Sequence, residues 1–170
     1  MGIYFYGCIT LDGYLADARH GLGWLDGTGS VEETSFDSFY KEMDITLMGR
    51  RTFRAVEALG DPAGVYPSTE NYVFTHQRQP LPEGFQKASG SVVDFVTLLP
   101  RGKNVWVVGG NTLLAPLLDC GLVDHLIVQV APVLLGRGVP LFTQKEAQTR
   151  FRLDGLAQYG QFAELRYSRL

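Results

Sequence analysis

Cysteine is scarce in this chain: two in 170 residues, Cys8 and Cys120. A disulfide between them stays open, but two buried thiols in a reducing cytosol, each in an apolar stretch, are the expectation. The three histidines, His20, His76 and His125, are scattered, so no metal-ligand spacing is present. No apolar run approaches the roughly 18 residues of a membrane-crossing helix. The opening segment MGIYFYGCITLDG has no basic region and is too short for a secretory signal. A cytoplasmic protein with no membrane partner is expected. Basic charge is not in excess either: 15 Lys and Arg against 18 Asp and Glu leave a net charge of −3. That argues against nucleic acid as a partner, although a local basic pocket for a phosphate remains open. Repeats, low-complexity tracts and linker-like boundaries are absent, so one domain is expected. A chain of this length buries about 70% of its unfolded surface, enough for a core without staples.

What is present is concentrated between Asn104 and Phe142. NVWVV (Asn104–Val108) is a short apolar run rich in β-branched and aromatic residues. Gly109 and Gly110 follow it. Leu113, Leu114, Leu117, Leu118 and Leu122 then recur at helical spacing, with a stop at Gly121. HLIVQVAPVLL supplies a second strand. Strand, Gly-Gly, helix, strand is the βαβ pattern of a parallel sheet. Paired glycines let another group approach the backbone, and the helix N-terminus beyond them directs N–H groups at the same spot. An anion such as a pyrophosphate fits there.

The rest of the chain supports that frame. Ile3–Thr10 is nearly all apolar and reads as a buried central strand. Asp12-Gly13 turns it. Tyr14–Gly29 is glycine-rich and aperiodic, hence a loop, yet it carries Leu15, Trp24 and Leu25; it is either a lid packed on the core or a flap over a ligand. Ser30–Met43 reads as a helix, with Phe36, Phe39, Tyr40 and Met43 on one face and Ser30 with Glu33 as a capping box. Ile45–Met48 is a short strand, and Gly49-Arg50-Arg51-Thr52 opens a helix to about Leu59. Cations at a helix start oppose its dipole, so an anion between them is expected, unless the arginines pair with surface carboxylates. Asn71–Thr75 is a strand ending in a hydroxyl, Phe85–Ala88 a short edge strand, and Val92–Leu99 a short helix. Pro132–Gly138 breaks the strand after the βαβ unit, and Val139–Phe142 continues apolar. Phe151–Leu156 and Phe162–Ser168 alternate as a terminal antiparallel hairpin. The fold class is α/β: a mixed, mostly parallel eight-stranded sheet, about four helices, and an antiparallel C-terminal edge. Ligands of such sheets bind at the carboxyl ends of strands. Gly49–Thr52, Thr75, Gly109–Thr112 and the Asp12 turn all fall there.

With these segments the chain resembles the dihydrofolate-reductase-like superfamily, and within it the C-terminal reductase domain of the riboflavin-biosynthesis deaminase-reductase and its stand-alone relatives. The marks are ITLDGYLAD (Ile9–Asp17), LMGRRTF (Leu47–Phe53), VWVVGGNTLLAPLL (Val105–Leu118) and APVLLGRGVPLF (Ala131–Phe142). The resemblance implies NADPH across the carboxyl edge of the sheet. It implies that Gly49, Arg50, Arg51 and Thr52 hold phosphates, and that Thr75 meets the adenosine 2′-phosphate. Val108, Gly109, Gly110, Asn111 and Thr112 meet the pyrophosphate, with a cis Gly-Gly peptide. Cys8, Ile9 and Leu15 line the nicotinamide end. Asp12, Trp24, Phe39 and Gln129 face the substrate. The chain departs from the folate reductases on its first helix, where their pterin-pairing acid aligns with Ser35 as well as with Glu33. His76 follows Thr75 where an Arg or Ser would mark the 2′-phosphate more clearly. The zinc deaminase half of the riboflavin enzyme has no counterpart in this sequence.

The expected activity is hydride transfer from NADPH to a C=O or C=N carbon of a small heterocyclic or sugar-phosphate-like substrate, an activity related to that of 5-amino-6-(5-phosphoribosylamino)uracil reductase. The alternatives are a non-catalytic nucleotide- or phosphate-binding module and a true dihydrofolate reductase. Asp12 is the nearest proton donor by position, but a turn-forming role before Gly13 explains it too, and no catalytic acid is assigned. A homodimer is expected through the terminal strands and the PVLLGRG bend.

Overall fold

The computed structural model describes residues 2–30, 33–58, 60–145 and 148–170. Its main sheet has eight strands: β1 (Gly2–Thr10), β3 (Ile45–Gly49), β4 (Glu70–Phe74), β5 (Phe85–Ala88), β6 (Asn104–Gly109), β7 (His125–Ala131), β9 (Phe151–Tyr159) and β10 (Phe162–Arg169). They lie in the order β5-β4-β3-β6-β1-β7-β10-β9. All pairings from β5 to β7 are parallel; β10 joins β7 antiparallel and β9 closes the edge as a hairpin. The sheet is therefore the mixed, mainly parallel one expected. Two further strands, β2 (Tyr14–Asp17) and β8 (Gly138–Pro140), form a separate antiparallel pair.

Helices cover both faces. On one, α4 (Val92–Thr97) and α5 (Asn111–Asp119) pack on Ile3, Phe5, Leu47, Val105 and Val107. Leu113, Leu114, Leu117 and Leu118 of α5 are all buried, as their spacing requires. Leu114 and Leu117, each 0% exposed, contribute about 1.5–3 kcal/mol apiece by leaving water. On the other face, α1 (Phe36–Tyr40) and α2 (Arg50–Glu57) enclose an aromatic cluster of Tyr6, Phe39, Phe53, Tyr66 and Trp106. These are the four expected helices; α3 (Pro62–Val65) adds a single turn.

Three expectations change. The helix placed over Ser30–Met43 starts only at Phe36. Half of the capping box forms, with Glu33 Oε2 accepting from Ser30 N at 3.4 Å. But the Thr34 hydroxyl accepts from Phe36 N at 3.2 Å, and Ser35 Oγ is committed to Glu164. Such local and tertiary bonds compete with a helical start. Val31, Glu32 and Leu59, also placed in helices, lie outside the described residues. The loop at Tyr14–Gly29 begins with β2, and a 3-10 turn (Gly23–Leu25) holds Trp24. Its partner strand β8 requires Gly138, where a Cβ would collide with the Ala16 carbonyl. Cys120 is exposed rather than buried, because α5 ends one residue before it. Among the described residues, no helix is long and apolar enough to cross a membrane.

Candidate active site

The carboxyl ends of β1, β3, β4, β5 and β6 open into one cleft of about 660 Å³. Gly49, Arg50, Arg51 and Thr52 enter it from β3 and the start of α2. Val108, Gly109, Gly110, Asn111 and Thr112 enter from β6 and the start of α5. Thr75 comes from the end of β4, and Cys8 and Leu15 from β1 and β2. Trp24 lies over the cleft from the flap, beside Leu22 and Leu25. Thus every residue expected at the cofactor lines this one cleft except Ile9, which is 8% exposed and packs in the opposite core. Strand alternation explains Ile9: with Cys8 facing the cleft, its neighbour faces away.

Two glycines in the cleft differ in kind. Gly109 has φ +151°, and a Cβ there would stand 3.2 Å from Thr52 Oγ1. It is glycine because the fold requires it. The Gly109–Gly110 peptide is cis. Gly49 has φ −78°, open to any residue, and a Cβ there would meet nothing within 4 Å. Neither the backbone angles nor the packing at 49 requires glycine.

The arginines are similarly informative. Neither Arg50 nor Arg51 is paired with a carboxylate among the described residues. Arg50 lies 5.1 Å from the Phe53 ring centre, and its buried Nε has no partner. The indole N–H of Trp24 is also buried and unpartnered. Two donors facing no acceptor, at a helix start already rich in N–H groups, suit an anion. Among the described residues no Asp or Glu lines the cleft, so none of them opposes that charge.

At the other end the lining is apolar: Cys8, Leu15, Val108 and Leu113. Burial pushes the Cys8 thiol up to about 12, against weaker opposing hydrogen bonds to the Ile9 and Ala131 backbone. It is a neutral thiol at neutral pH. His76, Ser89 and Gly90 extend the cleft past Thr75. Ser89 and Gly90 were not anticipated, although they follow β5 just as Thr75 follows β4.

Three substrate candidates stand outside the cleft. Asp12 is exposed and staples two loops: its carboxylate accepts from Thr10 Oγ1 at 2.6 Å, Gly136 N at 2.7 Å and Leu135 N at 3.1 Å. These bonds, Thr10 first, hold its pKa below the usual carboxylate value. The turn-forming reading of Asp12 is the one the geometry supports. Phe39 is 7% exposed and stacks on Tyr6 with ring centres 4.6 Å apart. Gln129 is 5% exposed and donates from Nε2 to Tyr6 Oη at 2.7 Å. Aromatic packing of α1 against the sheet closes over both.

Comparison with known proteins agrees with this architecture. The family model of the RibD C-terminal domain matches residues 3–163. The chain belongs to that family. It is the family of the reductase half of the riboflavin deaminase-reductase. YwjB of Bacillus subtilis, itself uncharacterised, is 31% identical over 171 residues, covering 96% of this chain and 95% of YwjB. A crystal structure from Shewanella sp. PV-4, whose protein is named for riboflavin biosynthesis, superposes with a TM-score of 0.86 at 27% identity, covering 100% of this chain and 99% of that one. Dihydrofolate reductase from Enterococcus faecalis, complexed with NADP(H), has a TM-score of 0.66 at 11% identity, covering 99% and 96% of the two chains. That last likeness is one of fold, and it gives this member of the RibD reductase family the dihydrofolate-reductase-like architecture.

Proposed function

We propose that this protein is an NADPH-dependent reductase of a small heterocyclic or sugar-phosphate-like substrate, acting on a C=O or C=N group. One observation carries the reading: two helix N-termini, one with arginines that pair with no described carboxylate and the other with a Gly-Gly step, lie side by side in the lining of a single cleft. When bound there, NADPH supplies the hydride. The chain supplies binding and orientation. Arg51 and Thr52 neutralise phosphate charge, and the α2 and α5 N–H groups point at it. Gly49 leaves room for close approach. Thr75, His76 and Ser89 form the polar end for the adenosine 2′-phosphate. Cys8, Leu15 and Val108 give the nicotinamide ring an apolar wall, and the Trp24 flap shields it from water.

The test combines binding and turnover. Cofactor at about a hundred times its Kd stabilises by about 2.7 kcal/mol, which raises the Tm of a chain this long by about 5–10 °C. Loss of NADPH absorbance is then followed with pterins, ribosylaminopyrimidine phosphates and small carbonyls. No Tm shift at millimolar NADPH defeats the proposal. The lack of a carboxylate in the cleft among the described residues favours a second reading, a non-catalytic nucleotide-binding module. It requires a Tm shift with no oxidation by any panel member. We also propose a homodimer through β9, the antiparallel one of the two sheet edges, where Leu153 and Leu156 are exposed.

A further inference from the structure

His20 lies on the flap, is exposed, and lines the cleft. So do Leu15 and Ala16 before it and Leu22, Trp24 and Leu25 after it. Leu15 belongs to the apolar wall that also holds Cys8 and Val108. Asp17 N donates to Gly21 O at 3.0 Å, and His20 N to Asp17 O at 3.0 Å. Asp17 Oδ1 accepts from Arg19 N at 2.7 Å and from Gly21 N at 2.8 Å. One tight turn thus carries His20 directly after the strand that bears Leu15.

That turn holds His20 at φ +64°, and His20 is the one non-glycine residue with positive φ among the described residues. Glycine takes this conformation without steric cost, and asparagine at little. The turn itself therefore does not require an imidazole. A side chain kept in the left-handed region points to a functional constraint.

Proton chemistry narrows the choice further. Among the described residues, the titratable or charged side chains lining the cleft are Cys8, His20, Arg50, Arg51 and His76. Burial pushes the Cys8 thiol up to about 12, and a guanidinium does not give up its proton. An imidazole does so near neutral pH. His76 follows Thr75, at the end proposed for the 2′-phosphate, whereas His20 follows Leu15. Within its own turn His20 faces Asp17 and Arg19. The Gly21 amide first, then the Arg19 amide, hold the Asp17 carboxyl below its ordinary value, and the charges of Arg19 and His20 add to that.

We propose, resting on the reading of this cleft as a hydride-transfer site, that His20 is the proton donor of the reduction. As the substrate carbon gains hydride, the π pair of its C=O or C=N bond passes to the heteroatom. That atom takes the proton of the His20 imidazolium, and an alcohol or amine results. His20 is left neutral, and its exposed ring regains a proton from water. One hydride and one proton are added across the double bond, with no carboxylate needed in the cleft.

The test has two arms and uses His20→Gly, because glycine adopts φ +64° freely and should leave Tm unchanged. The first arm needs no substrate. NMR follows the imidazole Cε1–H signals of His20, His76 and His125 as 2′,5′-ADP or NADPH is added. The ADP fragment should shift His76 and not His20, and NADPH should shift both. His125, stacked on Tyr4 outside the cleft, should respond to neither. NADPH moving His76 but not His20 overturns the inference alone. Neither moving, with no gain in Tm, is instead the failure of the cofactor reading, and the inference falls with it. The second arm measures turnover of any panel compound that oxidises NADPH. Wild-type kcat should fall as pH rises through the imidazole range, about 6–7.5. His20→Gly should lower kcat about a hundredfold to ten-thousandfold, flatten that profile, and recover in part with added imidazole. Its KM and NADPH affinity should stay within about threefold of the wild type. A histidine serving only the turn would move those two constants and ignore imidazole. Wild-type kcat in His20→Gly, an unchanged pH profile, or NADPH bound with no panel compound oxidised overturns the assignment.

Discussion

Gly49→Ala separates a glycine kept for the fold from one kept for a ligand. Backbone angles at Gly49 are φ −78° and ψ 164°, which alanine adopts freely, and the added methyl meets no atom within 4 Å. As the residue before α2, alanine is a poorer cap than glycine by somewhat less than about 1 kcal/mol. Loss of freedom in the unfolded chain returns about 0.4–1 kcal/mol. The two nearly cancel, so Tm should stay within about 2 °C of the wild type. Cofactor affinity should not survive so well. Gly49 lines the same cleft as Arg50 and Arg51, so on the proposed reading the methyl keeps the phosphate at a distance, and the loss of one charge-assisted hydrogen bond costs about 1.5–3 kcal/mol. NADPH should bind about tenfold to a hundredfold more weakly by calorimetric titration. Gly109→Ala is the control. Its φ of +151° and the 3.2 Å approach to Thr52 Oγ1 put its cost in the fold, about 1–3 kcal/mol, and Tm should fall by several degrees. Gly49→Ala binding NADPH as the wild type does, or melting as low as Gly109→Ala, refutes the reasoning.

Arg51→Met should weaken NADPH about tenfold and flatten the salt dependence of binding, since one guanidinium no longer meets the phosphates. Cys120 should be alkylated by iodoacetamide at neutral pH while Cys8 resists, because alkylation needs the thiolate and burial raises Cys8 to about 12. The same shift means that the unfolded chain ionises first, so Cys8 lowers stability as pH climbs from about 9 toward about 12, visible as a Tm that falls less in Cys8→Ala. For Asp12, whose pKa is lowered, the loop staple is complete above the ordinary carboxylate value of about 3.9 and is lost as pH falls through the lowered one. The amide resonances of Leu135 and Gly136 should report that titration and lose it in Asp12→Asn. Leu156→Arg should shift the protein from dimer to monomer in sedimentation, with Tm little changed, since Leu156 is 70% exposed in the single chain.

Strongly periodic segments were legible without a structure. The leucines of α5, the apolar runs of β1 and β6 and the alternation of β9 and β10 each follow from a single dominant burial direction. Cleft residues were legible because strand ends, glycines and helix starts share one chemistry. What escaped depended on partners distant in sequence. β2 needs β8, more than a hundred residues on, and reads as loop without it. α1 is shorter than its apolar face suggests because Thr34 and Ser35 spend their hydroxyls elsewhere. Glu164 sits in phase with Phe162 on the buried side of β10, a signal present in the alternation but easily taken for an exposed acid. Asp12 and Phe39 were placed near a substrate by family likeness, and their contacts here are to loops and core.

The most direct test is a crystal structure of the protein grown with NADPH. The expected density places the pyrophosphate between Arg51-Thr52 and Gly109-Gly110, with the nicotinamide against Cys8 and the adenosine end by Thr75. Ordered NADPH anywhere else, or the same cleft empty at saturating cofactor, would contradict the account.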